Sequence, residues 1–302
     1  NYMYKIIQKR NWLFGLSFAI LVPGLVSLFL FGLRPAIDFT GGSRLTVSFS
    51  AQRPAGPDVA KVVSELGYGI AAAQTSGDRD LIINLPNISN DQRQKVVDTL
   101  NEKYGVVSES SFETIGPTVG KELLKRAVTS IVIVLLAIII YISWAFRKVR
   151  VGPVPSWVYG ASAVVALAHD ILIVVGVFSI LGHYAKIEID SLFVTALLTV
   201  LGFSVHDTIV VFDRIRERLL VGAESSYEET VNVSLNQTLI RSLNTSLTTL
   251  LVLAALYLFG GITIRNFVLA LLIGIASGTY SSIFVASPLL VVYDNWKRRR
   301  RR

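Results

Sequence analysis

The chain reads as a polytopic α-helical membrane protein: six transmembrane helices bearing a small extracytoplasmic α+β domain of ferredoxin-like βαββαβ order. Three observations predict this. The 302 residues are 52% hydrophobic and only 17% charged, with a positive mean hydropathy, well beyond what a soluble domain of this length needs. Six apolar runs reach the ~20 residues that a hydrocarbon core requires: Trp12 to Leu33, Ala127 to Phe146, Trp157 to Leu181, Ile189 to Phe212, Ser234 to Phe259 and Asn266 to Tyr293. Between the first two, the pattern changes to short segments separated by turn residues. The expected organisation is an N-terminus and first helix over 1–37, an external domain over 38–120, a five-helix bundle over 121–296 and a basic tail over 297–302.

In the external segment Arg44 to Ser50 alternates as a strand does, and Pro57 to Leu66 has helical spacing with Pro at its start. A second strand over Gly69 to Gln74, a turn at Ser76-Gly77-Asp78 and a third strand over Leu81 to Leu85 follow. A helix opened by Ser89 or Asn90 runs to Tyr104, and Val106 to Phe112 closes the order. This domain has no His and no Cys, and its acids are spread along helix faces, so a binding or mechanical role is expected rather than catalysis.

Positive charge sets the orientation, because Lys and Arg flanking short loops stay cytoplasmic. Lys5, Lys9 and Arg10 precede the first run, Arg147, Lys148 and Arg150 follow the second, Arg214, Arg216 and Arg218 follow the fourth, and Lys297 and Arg298 to Arg302 follow the sixth. The opposite short loops hold only Lys186 and Arg265. Both termini are therefore expected in the cytoplasm, with residues from about 34 to 125 outside, in the cell (inner) membrane. Residues 38–120 sum to −3, leaving +11 of the net +8 chain on the membrane part and its ends. The basicity is topological, and nucleic acid is not an expected partner; the terminal Arg run suits anionic membrane lipid. Absence of cysteine excludes disulfide, thiolate-metal and Cys-nucleophile chemistry. The first run exceeds the core of a secretory signal and lacks a small-x-small cleavage site before Arg34, so a retained span is expected.

Asp207 lies about 17 residues into an apolar run, a depth where a carboxylate is costly and usually functional. Arg241 sits 34 positions later in the next run. If the two runs meet the cytoplasm near Asp213 and Ser234, each charge lies roughly 10 Å from that face at ~1.5 Å per residue. Depth-matching predicts an Asp207–Arg241 pair in which the carboxyl exchanges protons and the guanidinium, protonated throughout, is the fixed counter-charge. The other reading of Asp207 is a polar group that only holds helices together. Gln237, Arg241, Asn244 and Thr248 recur at spacings of four, three and four, a polar stripe that must line an interface or a wet path.

His169-Asp170 and His206-Asp207 repeat one dipeptide in the third and fourth runs. Adjacent helical residues point about 100° apart, so no metal site is expected. Asp170 and His169 are read as a second relay or as an interhelix hydrogen-bonding group. Asp38-Phe39-Thr40-Gly41-Gly42 joins the first run to the external domain; its glycines permit either a structural turn or a hinge or docking joint. Ala270, Gly274, Gly278 and Ser282 recur every four residues, with Ser277 and Ser281 beside them, a spacing for close helix packing. Ser225-Ser226-Tyr227-Glu228-Glu229 suggests the cap of a short cytoplasmic surface helix.

Together, Asp38 to Gly42 after a first span, Ala168-His169-Asp170 in the third, Gly202 to Glu217 in the fourth and Asn236 to Ser246 in the fifth resemble the SecF family. This is the smaller-subunit family of the bacterial SecD–SecF export complex, within the resistance-nodulation-division superfamily. The likeness covers about residues 12 to 294. It implies a proton-driven accessory subunit of preprotein export, acting with SecD beside the SecYEG channel after SecA, with YajC and YidC as further partners. It also implies roles in proton flow for Asp207 and Arg241, no cofactor, and protons as the coupling ion. His206 stands where the family pattern has Asn, which opens the question of whether it joins the relay, and Ala36 stands where Gly is commoner. Two other functions compete: half of a proton-coupled small-molecule exporter, disfavoured by a small, aromatic-poor external domain, and a non-transporting membrane scaffold.

Overall fold

The computed structural model describes residues 4–50, 53–69, 72–76, 79–105, 107–146, 152–222 and 224–300. Arg147, Lys148 and Arg150, which count toward the expected orientation, lie outside these residues. So do Ile70, Ala71, Gly77, Asp78, Val106, Arg301 and Arg302. The chain forms two compact units, one of residues 35–129 with 188–191, the other of residues 1–34, 130–187 and 192–302.

The first unit opens with a single helical turn, α2 (Ile37–Thr40), which follows the membrane helix α1 (Arg10–Phe31). Strand β1 (Gly42–Phe49), helix α3 (Gly56–Glu65), β2 (Ala72–Ser76), β3 (Asp80–Leu85), α4 (Asn90–Tyr104) and β4 (Val107–Ile115) complete the βαββαβ order. The strands pair antiparallel in the order β2-β3-β1-β4, as the split ferredoxin-like arrangement requires. Alternation places Leu45, Val47, Phe49, Leu81, Ile83 and Leu85 on one face, where they bury against Val59, Val62, Val63, Val96, Val97 and Leu100 of the two helices. Ser89 caps α4 in a reciprocal pair with Gln92, each side chain taking the other's backbone N–H.

The second unit holds the membrane helices, with α5 (Pro117–Ala145) shared between the two. They are α1, α5, α6 (Ser156–Tyr184), α7 (Ser191–Val221), α8 (Tyr227–Phe259), and α9 (Arg265–Ser281) running on through a π turn at Ser282–Ala286 into α10 (Ser287–Arg300). Six candidate membrane spans result. Several helices outrun their apolar runs: α5 starts ten residues early at Pro117, and α8 seven residues early at Tyr227. Backbone hydrogen bonding does not stop where hydrophobicity stops, and Pro at the first helical position favours an early start. The Ser226 cap, which accepts from the Glu229 N–H at 3.2 Å, therefore opens α8 itself rather than a separate surface helix.

Small residues bring the helices together. A Cβ on Gly24 of α1 would lie 2.9 Å from Cα of Gly176 on α6, and one turn on, the Ser27 and Ser179 hydroxyls meet at 2.9 Å. Gly274 and Gly278 of α9 face Val200 and Ser204 of α7. A Cβ at Gly274 would stand 2.2 Å from Val200 Cγ2, and Val200 is itself buried. Gly274→Ala is expected to lower stability by about 1–3 kcal/mol through overpacking, read as a lower thermal midpoint in detergent. Val200→Ala in the same chain should recover most of the loss.

Candidate functional site

Two buried carboxylates sit among hydroxyls where α6, α7, α8 and α9 meet. Asp170 of α6 is fully buried: Oδ2 accepts from Ser204 at 2.6 Å and Ser281 at 2.7 Å, and Oδ1 accepts from Ser277 at 2.7 Å. Nδ1 of its neighbour His169 lies 3.1 Å from Oδ1, while His169 Nε2 is buried without a partner among the described residues. Hydroxyls from Ser204 of α7 and from Ser277 and Ser281 of α9, with His169 Nδ1 of α6 beside them, saturate this carboxyl, so it ties three helices together.

Asp207 differs. It is 8% exposed, and Oδ1 accepts from the Ser242 hydroxyl of α8 at 2.6 Å, whereas Oδ2 is buried with no partner among the described residues. A carboxyl held by one donor, with one acceptor atom free, can take up a proton without first breaking a saturated network. Beside it the Thr208 and Ser282 hydroxyls are 2.9 Å apart, and Ser246 and Thr279 meet at 2.5 Å. Ser282 opens the π turn, a helix irregularity frequent at functional sites, and Ser287 Oγ donates to the Ser282 carbonyl at 3.0 Å.

The expected Asp207–Arg241 ion pair is not formed. Ser242 takes the inward position on α8, and its neighbour Arg241, turned by about 100°, is exposed and makes no ion pair among the described residues. Desolvating a guanidinium to reach a carboxylate already held by a hydroxyl would be costly. The same geometry turns His206 outward while Asp207 points in, and His206 makes no hydrogen bond to Asp207 among the described residues. Helix α8 in fact carries two polar stripes. Ser234, Thr238, Ser242 and Ser246, every fourth residue, are buried; Gln237, Arg241, Asn244 and Thr248 are exposed. The buried stripe had a signal in the four-residue spacing, but the charge of Arg241 beside Ser242 draws attention to the other face. Ser242→Ala should leave a buried carboxyl without a donor, a cost of about 1–3 kcal/mol readable as a lower thermal midpoint.

The Asp38 to Gly42 motif forms a packed joint inside the unit that holds the four-stranded sheet. Asp38 Oδ2 accepts from the Ser191 N–H at 2.9 Å and from the Ser191 hydroxyl, holding the first residue of α7. Thr40 Oγ1 donates to the Ala36 carbonyl at 3.2 Å, and Phe39 is buried. Gly41 has φ +73° and Gly42 φ +140°, conformations that glycine adopts without strain.

This arrangement has relatives. The family "Protein export membrane protein SecD/SecF, C-terminal" matches residues 95–296, and the "SecD/SecF GG Motif" family matches residues 26–52. The chain belongs to the SecD/SecF family. Protein translocase subunit SecF of Thermobaculum terrenum is 47% identical over 97% of this chain and 95% of that protein. The crystal structure of SecDF, a translocon-associated membrane protein from Thermus thermophilus, matches 98% of this chain with a TM-score of 0.86 at 33% identity. SecDF in its super-membrane-facing form matches with a TM-score of 0.71 at 31% identity. This chain spans 39% and 40% of those two solved chains. Family membership makes the chain a membrane component of protein export and not an enzyme.

Proposed function

We propose that the chain is a proton-motive-force-driven accessory subunit of the Sec translocase in the cytoplasmic (inner) membrane, assisting late-stage preprotein translocation. One observation carries this reading: a buried carboxyl within a candidate membrane span, Asp207, held by a single hydroxyl, its second oxygen without a partner among the described residues. A proton entering from outside neutralises Asp207, weakens its hold on Ser242 and lets α7 and α8 repack; release to the cytoplasm resets the site. One elementary charge crossing ~100 mV yields roughly 2.3 kcal/mol, about fiftyfold in a two-state equilibrium. Asp170, saturated by serines, and His169 anchor the bundle against which this repacking occurs.

In the exposed stripe Gln237 Oε1 accepts from Arg214 Nε at 2.7 Å and Thr248 Oγ1 donates to the Asn244 carbonyl at 3.0 Å, whereas the exposed Arg241 and Asn244 side chains, with His206 on α7, need polar partners that lipid cannot give. SecD supplies them: Arg241 serves as counter-charge across that interface rather than within this chain. Both termini lie in the cytoplasm, and SecYEG, YajC, YidC and the unfolded preprotein complete the assembly. In vesicles holding this chain, SecD and SecYEG, an imposed proton gradient should speed completion of half-translocated preprotein severalfold, and an ionophore should abolish the gain. Completion at one rate with and without the gradient would contradict the reading.

A further inference from the structure

The loop between α6 and α7 carries a carboxylate, Glu188, that takes no part in the proton site. Glu188 belongs to the unit that holds the sheet, and donors from three of its four strands, β1, β2 and β3, converge on it. Asn84 Nδ2 donates to Oε1 at 3.1 Å and Oε2 at 3.0 Å, Gln74 Nε2 donates to Oε1 at 3.1 Å, and Arg44 Nη2 lies 3.5 Å from Oε2. Arg44 Nε also donates to Asn84 Oδ1 at 3.3 Å, so the donors are fixed to one another. The Glu188 side chain is 15% exposed, and partly desolvated charge-assisted bonds of this kind are stronger than surface pairs.

The residues that follow extend the same seam. Ile189 O accepts from the Ala36 N–H at 2.8 Å, Pro35 and Ile189 form a parallel bridge, and Ser191 is held by Asp38. Ser191 is the first residue of α7, the helix on which Asp207 lies 16 positions further along.

We propose that Glu188 is a positioning residue for export: it clamps the outer end of the Asp207 helix to the external sheet, so that this end and the sheet move as one body. The inference rests on the proton-driven reading above and adds the residue that transmits the motion. Without the clamp, protons still pass Asp207 but their passage no longer moves the sheet.

The test uses the full chain with SecD and SecYEG in vesicles, measuring export and proton flux together. Glu188→Ala is expected to keep proton flux within about twofold of wild type while export per proton falls at least tenfold. Glu188→Gln, which keeps an acceptor for Asn84 and Gln74 but loses the charge facing Arg44, should fall between. Export per proton equal to wild type in Glu188→Ala, or export and flux declining in parallel, would overturn the proposal. The chain has no cysteine, so Pro35→Cys with Ile189→Cys can lock the seam by oxidation. The locked chain should export within twofold of its reduced form; export that stops on oxidation and returns on reduction would show that the seam must open, and would also overturn it. A wild type whose export ignores the gradient overturns the proton-driven reading instead, a result seen before any variant is made.

Discussion

Asp207→Asn is expected to abolish gradient-driven export while leaving the protein folded and assembled. Asparagine keeps the size of the side chain and retains an oxygen that can accept from Ser242, so the α7–α8 contact survives. What it removes is the ability to alternate between a charged and a neutral form. Export with the gradient should fall to the level seen with an ionophore, and proton flux should drop with it. Asp170→Asn makes a contrasting variant. It places an amide N–H₂ where serine donors converge, so its main expected effect is lower stability rather than a loss confined to the gradient-driven part. The scaffold reading, in which buried acids only hold helices together, expects both variants to behave alike.

Gly42→Ala and Gly41→Ala should each cost about 2–5 kcal/mol, combining the strain of a positive φ with overpacking. A Cβ at Gly42 would stand 2.7 Å from the Leu85 carbonyl oxygen, and one at Gly41 would stand 2.8 Å from Pro117 Cα. Both obstacles are backbone atoms, so no rotamer change relieves them. Gly120 closes the joint from the other side, where a Cβ would meet the Gly41 amide nitrogen at 2.9 Å. Gly67 provides the control: its φ is +79°, but nothing lies within 4 Å of the added Cβ. Gly67→Ala should therefore cost only the conformational part, about 1 kcal/mol. Protease resistance and hydrogen exchange of the external domain read the difference; equal losses at Gly42 and Gly67 would deny the close packing of the joint.

The helices and the βαββαβ order were legible in the chain because both follow from periodic hydrophobicity, which is a property of composition along the sequence. The ends were less legible, since α5 and α8 continue past their apolar runs on hydrogen bonding and caps that hydropathy does not register. In the site, Asp207 announced itself as a charge at mid-membrane depth. Its partner did not, because depth fixes height along a helix and leaves rotation open. Arg241 and Ser242 stand at nearly the same height and point about 100° apart, and only packing against α7 and α9 decides which one points inward. Serine gave a weak signal for a further reason. In these helices many hydroxyls bond their own backbone, as Ser234 does to the Thr230 carbonyl and Thr238 to the Ser234 carbonyl, so sequence alone cannot separate those from Ser242, Ser277 and Ser281, which bond across helices. Glu188 had no signal: an acid in a short loop that also holds Lys186 and Asp190 looks like any solvated charge until the sheet brings Arg44, Gln74 and Asn84 around it.

Infrared difference spectroscopy on vesicles, recorded as a proton gradient is imposed, reads the protonation of a buried carboxyl directly. A carboxylic C=O band should rise with the gradient in the wild type, vanish in Asp207→Asn and persist in Asp170→Asn. A spectrum that does not change while the same vesicles carry out gradient-driven export would contradict proton uptake at Asp207.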